Sequence, residues 1–183
     1  MARKLRGRYD ARFLSPPPSA RHKAAQELIL PTIVEKIVSG GQTGVDRAAL
    51  DMAIVAGIAC GGWCPLGRKA EDGPLPLHYP LNETESEDYV VRTEWNVRDS
   101  DGTLILAGQP LTGGTALTKR LAKRQQRPCR VAFPFSDEDV ASVAEWLATN
   151  RIRTVNIAGP RESQQPGIYA AAVEFLGRLF SGA

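Results

Sequence analysis

Residues 33–57 of the chain read IVEKIVSGGQTGVDRAALDMAIVAG, and this stretch decides the fold. The β-branched run at residues 33–39 predicts a strand, and the small and polar residues 40–44 predict a loop. Apolar residues then recur at helical spacing over residues 45–56, and Gly57 predicts the end of that helix. A strand, a glycine-rich loop and a helix in this order form the first half of a βαβ unit.

The same alternation continues toward the end of the chain, as a mostly parallel sheet requires. Further strands are predicted at residues 58–63, 102–107, 130–134 and 153–158, and helices at residues 114–127, 137–148 and 167–180. Residues 65–95 contain two glycines and four prolines, which predict a long irregular loop. The pattern predicts an α/β protein whose mostly parallel sheet is flanked by helices. A length of 183 residues with 43% hydrophobic composition predicts a single domain.

Basic residues are concentrated at the N-terminus. Residues 1–23 contain seven Lys or Arg and one acid, Asp10, whereas residues 24–183 contain sixteen Lys or Arg and nineteen acids. The net charge of +3 therefore comes from the N-terminal segment, and the rest of the chain is mildly acidic. Three consecutive prolines at 16–18 exclude a continuous helix there. We expect residues 1–30 to be a flexible basic extension of a domain at residues 31–183. A nucleic-acid-binding arm and an organelle transit peptide are the alternatives.

The sequence contains no stretch with the length and apolarity of a membrane helix or of a signal peptide. We therefore expect a cytoplasmic protein with no membrane partner. Cys60, Cys64 and Cys129 match neither a CxxC redox motif nor a zinc-site spacing, and only two histidines are present to complete a metal shell. We expect buried thiols and no metal site.

Three loops rich in small residues follow predicted strands. They contain Gly40-Gly41-Gln42-Thr43-Gly44, Thr112-Gly113-Gly114-Thr115 and Gly159-Pro160-Arg161. Because the carboxyl ends of parallel strands meet at one edge of a sheet, we expect these loops to lie together where ligands bind. Glycine lets backbone N–H groups approach an anion, and helix N-termini carry partial positive charge. The loops therefore predict a site for an anionic small molecule, although they match neither a GxGxxG fingerprint nor a P-loop.

Longer motifs surround these loops. They read SGGQTGVDRAALD at 39–51, GWCP at 62–65, AEDG at 70–73, TEWNVRDSDGT at 93–103 and NIAGPRES at 156–163. With these motifs, residues 33–180 resemble the molybdenum carrier, or molybdenum cofactor carrier, family, which is related to the lonely-guy and lysine-decarboxylase-like proteins. The resemblance implies a Rossmann-like, doubly wound fold and self-association into dimers or tetramers. It also implies binding of molybdenum cofactor (molybdopterin) for storage and transfer without turnover, with molybdoenzymes as acceptors.

Together the loops and the resemblance predict the residues of the ligand site. They are Gly40, Gly41, Gln42, Thr43, Gly44, Arg68, Arg98, Thr112, Gly113, Gly114, Thr115, Gly159, Pro160 and Arg161. The first glycine loop cradles one anionic end, the second loop supplies a facing helix N-terminus, and the three arginines are charge partners. For Arg98, an ion pair with Asp99 or Asp101 is the alternative. For Asp46, we expect a first-turn acid that stabilises its own helix.

Two other functions remain open from the sequence. The related phosphoribohydrolases place a catalytic Glu on the helix that follows a Gly-Thr pair, but Thr118 stands at that position here. The acids Glu71, Asp72 and Glu162 could replace it, yet their spacing does not pair them. A nucleotide-binding sensor would suit the same fold. The basic helix at residues 114–127 has no interleaved aromatic residues, so we expect a solvated surface there and no nucleic-acid interface.

Overall fold

A six-stranded parallel sheet forms the centre of the protein. The structure is a computed structural model that describes residues 34–180, so the basic extension predicted at residues 1–30 lies outside the described residues. The strands are β1 (Lys36–Val38), β2 (Ala59–Cys64), β3 (Lys69–Ala70), β4 (Gly73–Pro74), β5 (Leu81–Glu83), β6 (Gly102–Leu106), β7 (Cys129–Ala132) and β8 (Thr154–Ala158). The main sheet has the order β5-β2-β1-β8-β6-β7, and every neighbouring pair is parallel. Strands β3 and β4 form a separate antiparallel hairpin.

The described residues form five α-helices in two layers around the sheet. They are α1 (Val45–Ala56), α2 (Tyr89–Arg98), α3 (Gly113–Arg124), α4 (Asp137–Thr149) and α5 (Ile168–Phe180). Helix α5 packs between α1 and α4, while α2 and α3 pack against each other. This arrangement is the Rossmann-like, doubly wound α/β fold that the sequence predicts. No helix within residues 34–180 is long and apolar enough to span a bilayer.

The layer formed by α1, α4 and α5 contains the larger part of the core. Helix α5 is apolar along one side, and its Ile168, Phe175 and Leu176 are completely buried. Helix α1 presents buried alanines at positions 48, 49 and 53, so its backbone approaches α5 closely. All five residues of β6 are buried, as expected for an inner strand covered on both faces.

Strand register brings the three predicted loops to one edge of the sheet. Val38 at the end of β1 pairs with Asn156 of β8, and Ile105 of β6 pairs with Ala158. The chain leaves β1 toward α1 in one layer and leaves β6 toward α3 in the other, so these connections diverge on either side of β8. Such a divergence opens a crevice at the carboxyl ends of parallel strands.

The segment at residues 65–95 corrects the sequence prediction of a long irregular loop. It contains the 3₁₀ turn Leu66–Arg68, the hairpin β3–β4, the sheet strand β5 and the first two turns of α2. Strand β5 is only three residues long, and such short edge strands give little sequence signal. Helix α2 begins where the Asp88 carboxylate accepts a hydrogen bond from the Val90 N–H at 2.9 Å. The other predicted strands and helices are present, with ends shifted by a few residues.

Candidate ligand-binding site

A cavity of about 310 Å³ opens at the carboxyl edge of the sheet, between α2 and α3. Its walls come from the loop after β1, the first turn of α1, the first two turns of α2 and α3, and the loop after β8. The lining residues that matter for the argument are Gln42, Asp46, Tyr89, Arg92, Gly113, Gly114, Thr115, Thr118, Arg120, Gly159, Arg161 and Gln164. The structure therefore brings together residues from all three predicted loops.

Helix α3 begins at this cavity without a side-chain cap. Thr112 is the N-cap residue, and its side chain makes no capping hydrogen bond. The first N–H groups of a helix have no intrahelical acceptor, so those of residues 113–115 are available to a ligand. Gly113 has a φ of +50°, and a Cβ at Gly114 would meet no atom within 4 Å. This helix end offers unobstructed N–H donors and the positive end of the helix dipole.

Two arginines lie close to the Tyr89 ring at one wall of the cavity. The Cζ atom of Arg161 is 4.8 Å from the ring centroid, and that of Arg92 is 5.9 Å from it. The Arg161 side chain is 34% exposed, and its nearest carboxylate oxygen, on Glu71, is 3.9 Å away. Arg161 thus keeps most of its hydrogen-bonding capacity for a ligand.

Arg92 is neutralised by a buried acid. Its Nη1 atom lies 3.2 Å from Oδ2 of Asp46, and the two side chains are 12% and 4% exposed. Burial raises the pKa of Asp46 above its ordinary value, and the nearby Arg92 charge opposes that rise. A Cβ at Gly40 would lie 1.8 Å from Arg92 Nη1, so only glycine leaves room for this guanidinium.

The Gln42 side chain is fixed in the first glycine loop by its oxygen. Oε1 accepts hydrogen bonds from the backbone N–H groups of Thr43 at 3.1 Å and Glu71 at 2.8 Å. The opposite end of the amide, Nε2, is buried and has no hydrogen-bond partner, and the same is true of Arg92 Nε. Both donors belong to residues that line the cavity, and each lacks an acceptor, which is costly for a buried polar group.

The loops after β1 and β8 touch each other closely at Gly44. This residue has a φ of +76°, and a Cβ on it would lie 2.4 Å from the carbonyl oxygen of Pro160. Gly41, at a φ of +74°, lies instead against the side chains of Leu75 and Leu81. These glycines shape the loop, but Gly40 and Gly41 do not line the cavity.

Thr43 and Gly44 face a second, more open cavity of about 320 Å³. Thr43 Oγ1 donates a hydrogen bond to Glu71. Burial raises the pKa of Glu71, but hydrogen bonds from Ser163 and Thr43 outweigh that effect and hold the pKa below its ordinary value. Glu71 is therefore an ionised carboxylate that ties the first glycine loop to the loop after β8.

A third cavity of about 250 Å³ adjoins the first and shares Thr115 and Gln164 with it. Thr112 and Pro160 line this third cavity. The first and third cavities together extend along the carboxyl ends of β8 and β6.

Arg68 and Arg98 are not brought to the cavity. Arg68 donates hydrogen bonds of 2.9 to 3.0 Å to the carbonyl oxygens of Leu75, Pro76, Tyr79 and Leu81. Arg98 forms an ion pair with Asp99 and stacks on Trp95, with Cζ 4.8 Å from the ring centroid. The hydrogen bonds from Arg98 hold the pKa of Asp99 below its ordinary value. Both guanidiniums are used within the protein, and the alternative considered for Arg98 is the arrangement observed.

We expect Arg68→Ala to lower the free energy of unfolding by about 2 kcal/mol, because four loop carbonyls lose a charged donor and water replaces it only in part. Urea denaturation followed by fluorescence measures this loss. The matched control is Lys69→Ala, since Lys69 is exposed and pairs only with exposed Glu87. Equal free energies of unfolding for the two variants would show that Arg68 does not stabilise the loop at residues 75–81.

The sequence reasoning missed the contribution of α2 to the site. Tyr89 and Arg92 fell inside the predicted irregular loop, and Asp46 was expected only to stabilise its own helix. The Asp88 N-cap was the local signal that could have located the start of α2. Gln164 and Arg120 also line the cavity, and no sequence signal distinguishes them.

The cysteines and acids of residues 34–180 form no metal site. Within this range, no group of three or more His, Cys, Asp or Glu side chains is placed to hold a metal ion. Cys64 is buried, whereas Cys60 and Cys129 are half-buried, and burial raises the pKa of all three thiols. Thr118 stands where the related phosphoribohydrolases have a catalytic Glu. Its hydroxyl donates a hydrogen bond of 2.9 Å to the Gly114 carbonyl.

Comparisons with known proteins agree with this architecture. The sequence model of the circularly permutated YpsA SLOG family (cpYpsA) matches residues 37–180. A solved structure named "putative molybdenum carrier protein", from Syntrophus aciditrophicus SB, is 46% identical to the chain and superimposes with a TM-score of 0.77. The match covers 82% of this chain and 96% of that one. A search of curated proteins gives no significant match. The family match over residues 37–180 spans most of the sequence, so the chain belongs to the circularly permutated YpsA SLOG family.

Proposed function

We propose that the protein binds molybdenum cofactor as cargo in the cavity between α2 and α3 and hands it on without turnover. One observation carries the proposal: the uncapped N-terminus of α3 and the weakly paired Arg161 guanidinium line the same cavity. The name of the solved relative, "putative molybdenum carrier protein", supports a molybdenum-containing cargo.

The chemistry of the cavity fits this cargo. Molybdenum cofactor is a pterin that carries a phosphate and an oxo-metal dithiolene, so it needs several N–H donors and one or two cations. The N–H groups of residues 113–115 would bind the phosphate, and Arg161 would supply the positive charge. Arg120, further along the same helix, also lines the cavity and adds a second cation. The dithiolene already holds the metal, so the cargo requires no cysteine from the protein.

The other predicted site residues, apart from Arg68 and Arg98, would act by shaping the cavities. Gly40 makes room for Arg92, and a Cβ at Gly159 would lie 2.5 Å from the Leu106 carbonyl oxygen. Thr112 and Pro160 line the adjoining third cavity, and Thr43 and Gly44 line the second cavity. From the resemblance we also propose a homo-oligomer that passes the cofactor to molybdoenzymes. Native mass spectrometry reports the subunit number and the bound cofactor in one experiment.

Arg161→Ala is expected to weaken binding of molybdenum cofactor by at least about tenfold, because a charged hydrogen-bond donor contributes roughly 1.5–3 kcal/mol. Anaerobic titration followed by native mass spectrometry measures the affinity and the stoichiometry, which we expect to be one cofactor per subunit. Arg124→Ala is the matched control. It removes the same charge from the exposed C-terminal end of α3, where Arg124 pairs with Glu94. Indistinguishable affinities of the two variants would exclude Arg161 from the site.

Hydrolysis of a nucleotide is the second candidate function. The position of Asp46 in the cavity favours it. This buried acid lines the cavity, and burial raises its pKa, as in many general acids. Its pairing with Arg92, and the threonine at position 118, argue for a carrier. Incubation with adenosine monophosphate distinguishes the two functions, because a hydrolase releases adenine and ribose 5-phosphate whereas a carrier returns its ligand intact.

A further inference from the structure

The cavity combines a buried carboxylate with buried donors that lack an acceptor. Asp46 is the only acid among the described residues that line it. Beside it, Gln42 Nε2 and Arg92 Nε are buried and have no hydrogen-bond partner. Gln42 is 4% exposed and the Arg92 side chain is 12% exposed, so water does not readily replace the missing partners. This part of the cavity therefore favours a ligand group that both accepts and donates hydrogen bonds.

An anionic group is a poor match for this end. A phosphate would accept from Gln42 but would lie beside the Asp46 carboxylate in a water-poor environment, where like charges repel strongly. The N-terminus of α3 offers backbone N–H donors, and the first turn of this helix contains no acidic residue. The charged end of a ligand therefore belongs at α3, and an uncharged polar edge belongs at Asp46.

The number of hydrogen bonds that Asp46 can still accept indicates which groups the ligand has at its uncharged edge. Its carboxylate accepts a hydrogen bond from Arg92 Nη1 at 3.2 Å, and the backbone N–H of Gln42 interacts with it and lowers its pKa. A carboxylate has about four acceptor positions, so about two are left for a ligand. Two adjacent N–H donors beside a carbonyl oxygen form the edge of a 2-amino-4-oxopyrimidine ring, as in pterin and guanine. The adenine edge places a ring-nitrogen lone pair beside its amino group, and that lone pair would face the carboxylate.

We propose that Asp46 and Gln42 select ligands by a 2-amino-4-oxopyrimidine edge. Asp46 accepts hydrogen bonds from the ring N–H and the 2-amino group, and Gln42 Nε2 donates to the oxo group. The assignment rests on the proposed function, because it concerns the ring end of the ligand whose phosphate binds at α3. It adds a selection between ring systems that the anion site alone does not make.

A series of nucleotides with the same phosphate tests this selection in the unmodified protein. The full chain is titrated calorimetrically with guanosine, inosine and adenosine monophosphates. The guanine ring offers Asp46 both the ring N–H and the 2-amino group, the inosine ring offers only the ring N–H, and the adenine ring offers neither. We expect guanosine monophosphate to bind at least about tenfold more tightly than adenosine monophosphate, with inosine monophosphate between them. Equal binding of guanosine and adenosine monophosphates, or tighter binding of the adenosine compound, overturns the ring selection.

The outcomes separate this inference from the proposed function. If all three nucleotides bind equally, the anion site stands and the ring selection is wrong. If neither the nucleotides nor molybdenum cofactor binds, both are wrong. Inorganic phosphate is the reference for the anion site alone, and we expect it to bind more weakly than any nucleotide.

A substitution at Asp46 tests whether its carboxylate makes the selection between rings. Asp46→Asn keeps the side-chain shape and is expected to remove the preference for guanosine monophosphate, while adenosine monophosphate binds equally well or more tightly. Asp137→Asn is the control, because Asp137 is 88% exposed and lies on α4 away from the cavity. An Asp46→Asn protein that keeps the tenfold preference contradicts the role of Asp46. The nucleotide series in the unmodified protein decides the question even where this variant fails to fold.

Discussion

Gly44→Ala is expected to lower the free energy of unfolding by about 3 kcal/mol. Gly44 adopts φ +76° and ψ −129°, a combination that residues with a Cβ rarely adopt. The added Cβ would lie 2.4 Å from the Pro160 carbonyl oxygen and 2.8 Å from the Glu162 backbone nitrogen. Both neighbours are main-chain atoms, so they cannot rotate away, and the loops after β1 and β8 would have to separate.

Gly57→Ala is the matched control for this substitution. Gly57 also has a positive φ, +68°, but a Cβ there would meet nothing within 4 Å. The control therefore measures the cost of a left-handed backbone (φ +68°, ψ +19°) without a collision, expected at about 1 kcal/mol. Denaturant unfolding of both variants gives the comparison, and equal losses would show that contact between the two loops contributes nothing. Since these loops border the cavity, Gly44→Ala is also expected to lose ligand binding, whereas Gly57→Ala keeps it.

The parts of the fold that the sequence predicted are those with a local cause. Helix α1 has the predicted bounds, because small apolar residues at helical spacing face α5 and Gly57 takes the left-handed conformation that ends the helix. The order of strands and helices follows from the βαβ pattern, and that pattern brings three loops to one edge. Gln42, Gly113, Gly114, Thr115, Gly159 and Arg161 were accordingly expected together, and all six line the cavity.

The parts that escaped prediction depend on contacts between distant segments. The sequence predicts Arg68 as a charge partner of the ligand, but the chain folds back and presents four carbonyl oxygens to its guanidinium. Arg92 belongs to a helix that the proline-rich segment at residues 65–95 does not predict, and its partner Asp46 is 46 residues away in the sequence. Neither arrangement leaves a periodic signal, because hydrophobic periodicity reports burial of an element and not the partners of its polar side chains.

Arg92→Met is expected to lower the free energy of unfolding by about 3–5 kcal/mol near neutral pH. Methionine fills the space of the side-chain stem but leaves Asp46, which is 4% exposed, without its nearest positive charge. An unpaired buried carboxylate is far costlier than an intact ion pair. The matched control is Arg124→Met, which breaks the exposed pair with Glu94 and is expected to change stability by less than about 1 kcal/mol.

The pH dependence of this loss identifies its cause. Burial raises the folded-state pKa of Asp46, and both the charge and the hydrogen bond of Arg92 lower it, so removing Arg92 raises the pKa further. A folded-state pKa above the unfolded value contributes stability that is present at low pH and is lost as pH rises through the folded-state pKa. The penalty of Arg92→Met should therefore be small near about pH 4 and grow toward about pH 8. Thermal unfolding of the variant and the unmodified protein at several pH values measures it.

A penalty that does not change with pH would contradict this account. It would mean that Asp46 stays ionised without Arg92, which requires another cation to approach it. Arg161 is the candidate, because its charge already acts on Asp46 to lower the pKa. Arg161 would then be drawn from the ligand to the acid, and Arg92→Met would weaken anion binding without a matching loss of stability. The two readouts together thus decide whether Arg92 serves chiefly to neutralise Asp46, leaving Arg161 free for the ligand.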